Sequence, residues 1–293
     1  MFENFEIVQD VIDGVHIHAR RGGSGPPILL LHGFPQTHVV WHKMAAVLAK
    51  SFTVVTPDLR GYGDSGKPEG LIDHSNYSKR RMALDQVAFM GRLGYSSFSV
   101  VGHDRGARVA VRLAMDFPDA VQKLVTLDIA PTLAMYEQTT FEFARAYWHW
   151  FFLVRPKPLP ETLIRADAEL FLKELLGIKD GCPHPFATEA LAEYLRCLRD
   201  PLTAHGFCED YRAGVTIDLD HDRADIAAGR TIKTEHLMLW GENGLTGKCF
   251  DPMSEWARVS QRLTGFAVQS GHFMPEESPQ ALLDHICPFL ASY

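Results

Sequence analysis

The sequence is short of several things, and each shortage narrows its class. It has five cysteines, Cys182, Cys197, Cys208, Cys249 and Cys287, scattered and odd in number, with no C-x-x-C pair among them. Neither a disulfide framework nor a cysteine-built zinc site is indicated. It has no basic surplus: the net charge is −7, so nucleic acid is not an expected partner. It has no long apolar run; the most apolar stretch, around Ala146–Val154, is too short to span a bilayer. The first residues, Met-Phe-Glu-Asn-Phe-Glu, lack a basic region followed by an apolar one, so no secretory signal is read and a cytoplasmic location is expected. No internal repeat or low-complexity tract is evident. What remains is a globular composition: 293 residues, 46% hydrophobic and 22% charged, enough for one large α/β domain or a domain with an insertion.

Strand-like and helix-like segments alternate. Ile7–Ile12 and Val15–Ala19 are joined at Asp13-Gly14, a tight-hairpin signal. Buried-type strands are expected at Pro27–Leu31, Phe52–Pro57, Phe98–Val101, Leu124–Asp128, His236–Trp240 and Phe266–Gln269. Helices are expected at Trp41–Lys50, Tyr77–Leu93, after Asp104, at Pro252–Leu263 and at Gln280–Leu290. The alternation argues for a mostly parallel sheet covered on both faces. About 100 residues between Asp128 and His236 break it, and a structureless loop of that size is improbable in a compact domain. Residues 135–228 are therefore read as an inserted helical cap over the strand ends, with 1–134 and 229–293 forming the core.

The most informative stretch is Phe98-Ser-Val-Val-Gly-His-Asp-Arg-Gly-Ala-Arg108: an apolar strand meets a Gly102-x-Asp104-x-Gly106 frame and then a helix. This is the strand–turn–helix elbow that presents a nucleophile, with Asp104 where serine is usual. A serine attacking saturated carbon would leave an ether that the site could not hydrolyse. A carboxylate leaves an ester, which water can cleave. Asp104 therefore points to substitution at an sp³ carbon. A base is expected after the last strand, where His272 stands in Gly271-His272-Phe273. The acid that orients it has two candidate positions, Asp128 and Glu242. Asp128 is chosen because it ends an apolar strand, where an unpaired carboxylate would be costly. Backbone N–H groups of Phe34, in His32-Gly33-Phe34-Pro35, and of Arg105 are the expected oxyanion donors.

Arg105 and Arg108 lie on one side of the helix that follows Asp104. Two cations beside a carboxylate nucleophile are unusual in an apolar pocket, and they could hold a substrate carboxylate through paired hydrogen bonds. In Tyr147-Trp-His-Trp-Phe-Phe152, Trp148, Phe151 and Phe152 are read as packing. His149 and Trp150 carry N–H donors that want an acceptor when buried, and a leaving halide would be one.

The pattern resembles the fluoroacetate (haloacetate) dehalogenases of the α/β-hydrolase superfamily nearly end to end. It does so at His-Gly-Phe-Pro 32–35, Asp-Leu-Arg-Gly-Tyr-Gly-Asp-Ser 58–65, Gly-His-Asp-Arg-Gly-Ala-Arg 102–108, Tyr-Trp-His-Trp 147–150, Glu-Asp-Tyr-Arg-Ala 209–213 and Gly-His-Phe 271–273. Epoxide hydrolases and haloalkane dehalogenases share the first two motifs but usually have Trp after the nucleophile. The resemblance implies an eight-stranded, mostly parallel sheet with a cap. It implies Asp104 as nucleophile, Asp128 as acid, His272 as base, Arg105 and Arg108 on the carboxylate, and His149, Trp150 and Tyr211 on the halide. It also implies a small haloacid substrate, no metal or organic cofactor, and a homodimer. An epoxide hydrolase with the same Asp-His-Asp core is the alternative, and a non-catalytic ligand-binding protein is a more distant one.

Overall fold

In the computed structural model, which describes residues 1–179 and 181–291, Asp13 and Gly14 both adopt positive φ, 47° and 77°. That is the geometry a two-residue hairpin requires, and it joins strands β1 (Glu6–Ile12) and β2 (Val15–Gly22) with Ile12 opposite Val15. Six further strands follow: β3 (Pro27–Leu31), β4 (Thr53–Pro57), β5 (Phe98–His103), β6 (Val121–Leu127), β7 (Glu235–Gly241) and β8 (Leu263–Val268). They form one sheet in the order β1-β2-β4-β3-β5-β6-β7-β8. β2 runs antiparallel to both its neighbours, and all other pairs are parallel.

β3 explains why its sequence is continuously apolar. Leu29 and Leu31 enter one buried cluster with the helices Lys79–Arg92 and Arg105–Asp116. Ile28 and Leu30 enter a second cluster with Met44 and Leu48 of the helix His42–Leu48 and with Leu282, Leu283, Ile286 and Leu290 of the helix Pro279–Ala291. Successive side chains point to opposite faces, so a strand buried on both faces has no polar alternate.

Between β6 and β7 the described residues form eight helices, from Thr132–Glu137 to Ile217–Ala227, and no strand. Local signals start several of them: Thr140 accepts from the Phe143 N–H, Asp167 from the Leu170 N–H, and Asp200 caps Pro201–Val215. In that last helix every residue from Thr203 to Gly214 is buried. It carries Asp210 and Tyr211 against the core.

One segment differs from expectation. The helix expected over Pro252–Leu263 ends at Ala257, and the last strand starts at Leu263 rather than Phe266. β8 pairs only with β7 and alternates half-buried and exposed residues from Leu263 to Phe266, with only Val268 buried. An edge strand of that kind shows no continuous apolar run to read. Among the described residues no helix is long and apolar enough to cross a membrane.

Candidate active site

The C-terminal ends of β3, β5, β6 and β8 lie along one edge of the sheet and deliver Phe34, Asp104, Asp128 and His272 to one place. Asp104 follows β5 directly with φ 48° and ψ −117°, a conformation L-residues rarely adopt. Such a backbone costs on the order of 1–3 kcal/mol and persists only where its surroundings fix it. The two glycines make the turn possible. A Cβ on Gly106 would lie 2.4 Å from the Leu31 carbonyl oxygen, and one on Gly102 would lie 2.5 Å from Ala107 Cα.

The Asp104 carboxylate is buried and accepts the Phe34 N–H at 2.8 Å through Oδ1. Its Oδ2 faces His272 Nε2 at 3.8 Å. The other ring nitrogen of His272, Nδ1, lies 2.6 Å from Asp128 Oδ2, and Gly241 N–H donates to Asp128 Oδ1 at 3.0 Å. Of the two acids the sequence allowed, the structure brings Asp128 to His272; Glu242 is exposed. The Tyr147 hydroxyl also approaches His272 Nδ1, at 3.2 Å. His103 Nε2–H donates to the His272 carbonyl at 2.8 Å, and the Glu277 carboxylate accepts from the backbone N–H groups of Gly271 and Phe273. The loop bearing His272 is thus tied down on both sides.

These contacts set the charges. Burial disfavours the Asp104 carboxylate, but His272, His103, Arg105 and the Phe34 N–H outweigh it and hold its pKa below the usual value. Burial also disfavours charged His272, but the hydrogen bond and charge of Asp128, with Asp104 beside it, raise its pKa above 6.5. His149 is pushed down to about 3 by burial, against the pull of Asp104, and is a neutral ring. Burial and the Asp104 charge keep the Tyr211 hydroxyl protonated.

An open cavity of about 210 Å³ reaches Asp104, lined also by Phe34, Tyr147, His149, Leu175, His272 and Phe273. Arg105, Arg108, Trp150 and Tyr211 lie behind it as one contiguous group. The Arg105 guanidinium sits 4.2 Å from the Tyr211 ring centre and that of Arg108 5.0 Å from the Trp150 ring centre. Tyr211 also packs against Phe34 and His149, at 5.1 and 5.9 Å between ring centres. Four of this group's polar atoms, Arg105 Nη1, Arg108 Nε, Trp150 Nε1 and Tyr211 OH, are buried without a hydrogen-bond partner; so is Tyr136 OH, on a ring 5.0 Å from Trp150. Buried donors are nearly always paired, so a cluster of orphans is a site made to receive an acceptor. A second crevice touches Arg108 from the far side, between Val111, Thr132 and Trp256, but includes neither Asp104 nor His272.

Sequence reasoning missed three residues here. Asp210 accepts from Arg105 Nε at 2.9 Å and from Nη2 at 2.8 Å, and also from Lys79 and from the Tyr62 hydroxyl at 2.5 Å. Asp210 stands inside one of the quoted motifs, yet nothing local links it to a residue 105 positions away. Lys79 and Tyr136 lie in no motif at all. Phe151, expected to pack, is 37% exposed on the outer side of its short helix; Trp148 and Phe152 are partly buried against the core as expected. The one group among the described residues with metal-ligand spacing is His18, His38 and Asp58, none of which lines the cavity at Asp104. There His38 Nδ1 is already 2.9 Å from Asp58 Oδ1 in an ion pair.

The sequence between residues 26 and 172 matches the α/β-hydrolase fold family. A solved structure of an α/β hydrolase from Nostoc sp PCC 7120 superposes with a TM-score of 0.96, at 50% identity and over 100% of both chains. The chain belongs to the α/β-hydrolase family and is a hydrolase. Within that family it resembles the fluoroacetate dehalogenase of Burkholderia sp, with 45% identity over 95% of this chain and 91% of that one. It is also similar to the soluble epoxide hydrolase of Corynebacterium sp. (strain C12), at 35% identity over 97% of this chain and 96% of that one.

Proposed function

We propose that the chain is a haloacetate dehalogenase that converts a haloacetate and water into glycolate, halide and a proton. Arg105 and Arg108 hold the substrate carboxylate so that the halogen-bearing carbon lies in line with Asp104. Such positioning can supply several kcal/mol of barrier reduction, up to about 7 or more in well-aligned systems. Asp104 Oδ displaces the halide, forming an ester bond as the carbon–halogen bond breaks with its electron pair. His149, Trp150 and Tyr211 donate to the departing halide. His272 Nε2, oriented by Asp128, then takes a proton from water as the water oxygen attacks the Asp104 ester carbonyl. The Phe34 and Arg105 N–H groups stabilise the tetrahedral oxyanion; as it collapses, protonated His272 gives its proton to the departing alkoxide to form glycolate, and Asp104 loses the remaining proton to solvent and is restored as a carboxylate. None of these steps calls on a metal or organic cofactor. Residues 135–228 act as the cap that closes this site, over a core of 1–134 and 229–293. The active form is read as a homodimer, by resemblance.

One observation carries this reading: the orphaned donors lie beside two arginines. An epoxide hydrolase would use the same Asp104, Asp128 and His272, and the Corynebacterium relative favours that alternative. A neutral epoxide, however, gives the two buried guanidiniums nothing to bind. The deciding assay follows halide release from fluoroacetate and chloroacetate alongside diol formation from a small epoxide. Halide release with little diol supports the dehalogenase; the reverse replaces it.

A further inference from the structure

The two arginines differ in what already holds them. Arg105 is completely buried and its Nε and Nη2 are taken by Asp210, through both carboxylate oxygens and the backbone carbonyl at 2.7 Å. Lys79 pairs with the same carboxylate and lies 3.5 Å from Asp218. Arg105 and Lys79 with Asp210 and Asp218 are two cations matched by two carboxylates. Arg108 is different. Its Nη1 donates to the Ala130 carbonyl at 3.1 Å and to Thr132 Oγ1 at 2.6 Å, and its Nη2 to Met135 Sδ at 3.1 Å. All three acceptors are neutral, and among the described residues no carboxylate forms an ion pair with Arg108.

We infer that the arginines divide the work: Arg108 carries the charge of the bound carboxylate, and Asp210 neutralises Arg105. Asp210 thereby restricts the recess to one anionic group. This rests on the haloacid reading above. Arg105 contributes its one unpartnered nitrogen, Nη1, and a fixed stacking surface under Tyr211. Arg108 is deeply desolvated, and a buried cation without a counter-ion gains more from an arriving carboxylate than one already paired. The nearby Asp104 cannot fill that role through the cycle, because its charge leaves with the halide when the ester forms. Asp210 acts through Arg105 and is a positioning residue that sets charge selectivity.

The test compares chloroacetate with its neutral isostere chloroacetamide, scored as the ratio of kcat/KM values from chloride release. Arg108→Gln should lower the acid-over-amide ratio by about 10- to 100-fold, the range of one lost charge-assisted interaction. The double variant Arg105→Gln with Asp210→Asn replaces a buried ion pair by a neutral hydrogen-bonded pair, leaving Lys79 to Asp218. It should slow both substrates while holding the ratio within a few-fold of wild type. Arg105→Lys keeps the charge opposite Asp210 and removes the stacked fork; it should hold the ratio too, which covers the case of a double variant that does not fold. If the Arg105 variants lose the ratio as Arg108→Gln does, or Arg108→Gln keeps it, the division is wrong. A wild-type chain that releases no chloride from either compound overturns the dehalogenase reading instead.

Discussion

His272 and Asp104 face each other across 3.8 Å, Nε2 to Oδ2, too far for a hydrogen bond. His272 spends its only close contact to a carboxylate on Asp128, at 2.6 Å. With Asp104 Oδ1 held by the Phe34 N–H, that leaves Oδ2 free to attack carbon, and leaves Nε2 aimed at whatever oxygen later approaches the ester. Two half-reactions thus use the same pair of residues in turn, and they can be separated experimentally.

The first separation is by pH. Displacement of halide needs ionised Asp104, whose pKa is held below its usual 3.8. Ester hydrolysis needs neutral His272, whose pKa is raised above 6.5 by Asp128 and Asp104. The loss of the Asp104 charge in the ester relaxes part of that rise, while Asp128 maintains the rest. Steady-state turnover should therefore fall as pH drops through the His272 pKa, since the base becomes protonated. Single-turnover halide release should stay flat well below that pH. Rapid-quench halide measurements across pH 4–8 check this; two parallel limbs would mean one group governs both steps.

The second is by mutation. His272→Asn should release about one halide per site and then stall with an adduct on Asp104, visible by mass spectrometry. Normal turnover, or no burst and no adduct, would remove His272 from the hydrolytic step.

The donors behind Asp104 should matter most for the hardest leaving group. Trp150→Phe keeps most of the volume of a fully buried side chain and removes the orphaned Nε1–H. Losing one preorganised donor costs about 10²–10³-fold in comparable oxyanion sites. We expect a loss of that order on fluoroacetate and a clearly smaller one on chloroacetate, whose larger halide leaves more easily. Equal losses would point to a packing defect.

The elbow glycines give a stability prediction. Gly106→Ala would set a Cβ against the backbone carbonyls of Leu31 and His32, which cannot step aside. A loss of at least about 2 kcal/mol is expected by denaturant titration. A near-neutral Gly106→Ala would mean that helix and strand are less tightly apposed than described.

Much of this arrangement was legible in the chain because its signals are local. The Asp13-Gly14 hairpin, the apolar run of β3 and the Gly102–Gly106 frame each declare themselves within a few residues, and the position of His272 follows from where the last strand ends. What could not be read is what depends on distant pairing. The choice of Asp128 over Glu242 rested on the cost of a lone carboxylate, and only the fold brings Asp128 to His272. The capture of Arg105 by Asp210 joins a helix of the core to a helix 105 residues away. The start of β8 was missed because an edge strand has one partner and a half-polar face.

The most direct test of the whole account is where water's oxygen goes. In a single turnover of chloroacetate in ¹⁸O-water with enzyme in excess, the label should enter the Asp104 carboxylate, found by mass spectrometry of the peptide containing it. The glycolate released should carry no label, since its new oxygen comes from Asp104. Label in that first glycolate, with Asp104 unlabelled, would mean that water attacks the carbon directly, and the ester mechanism would be wrong.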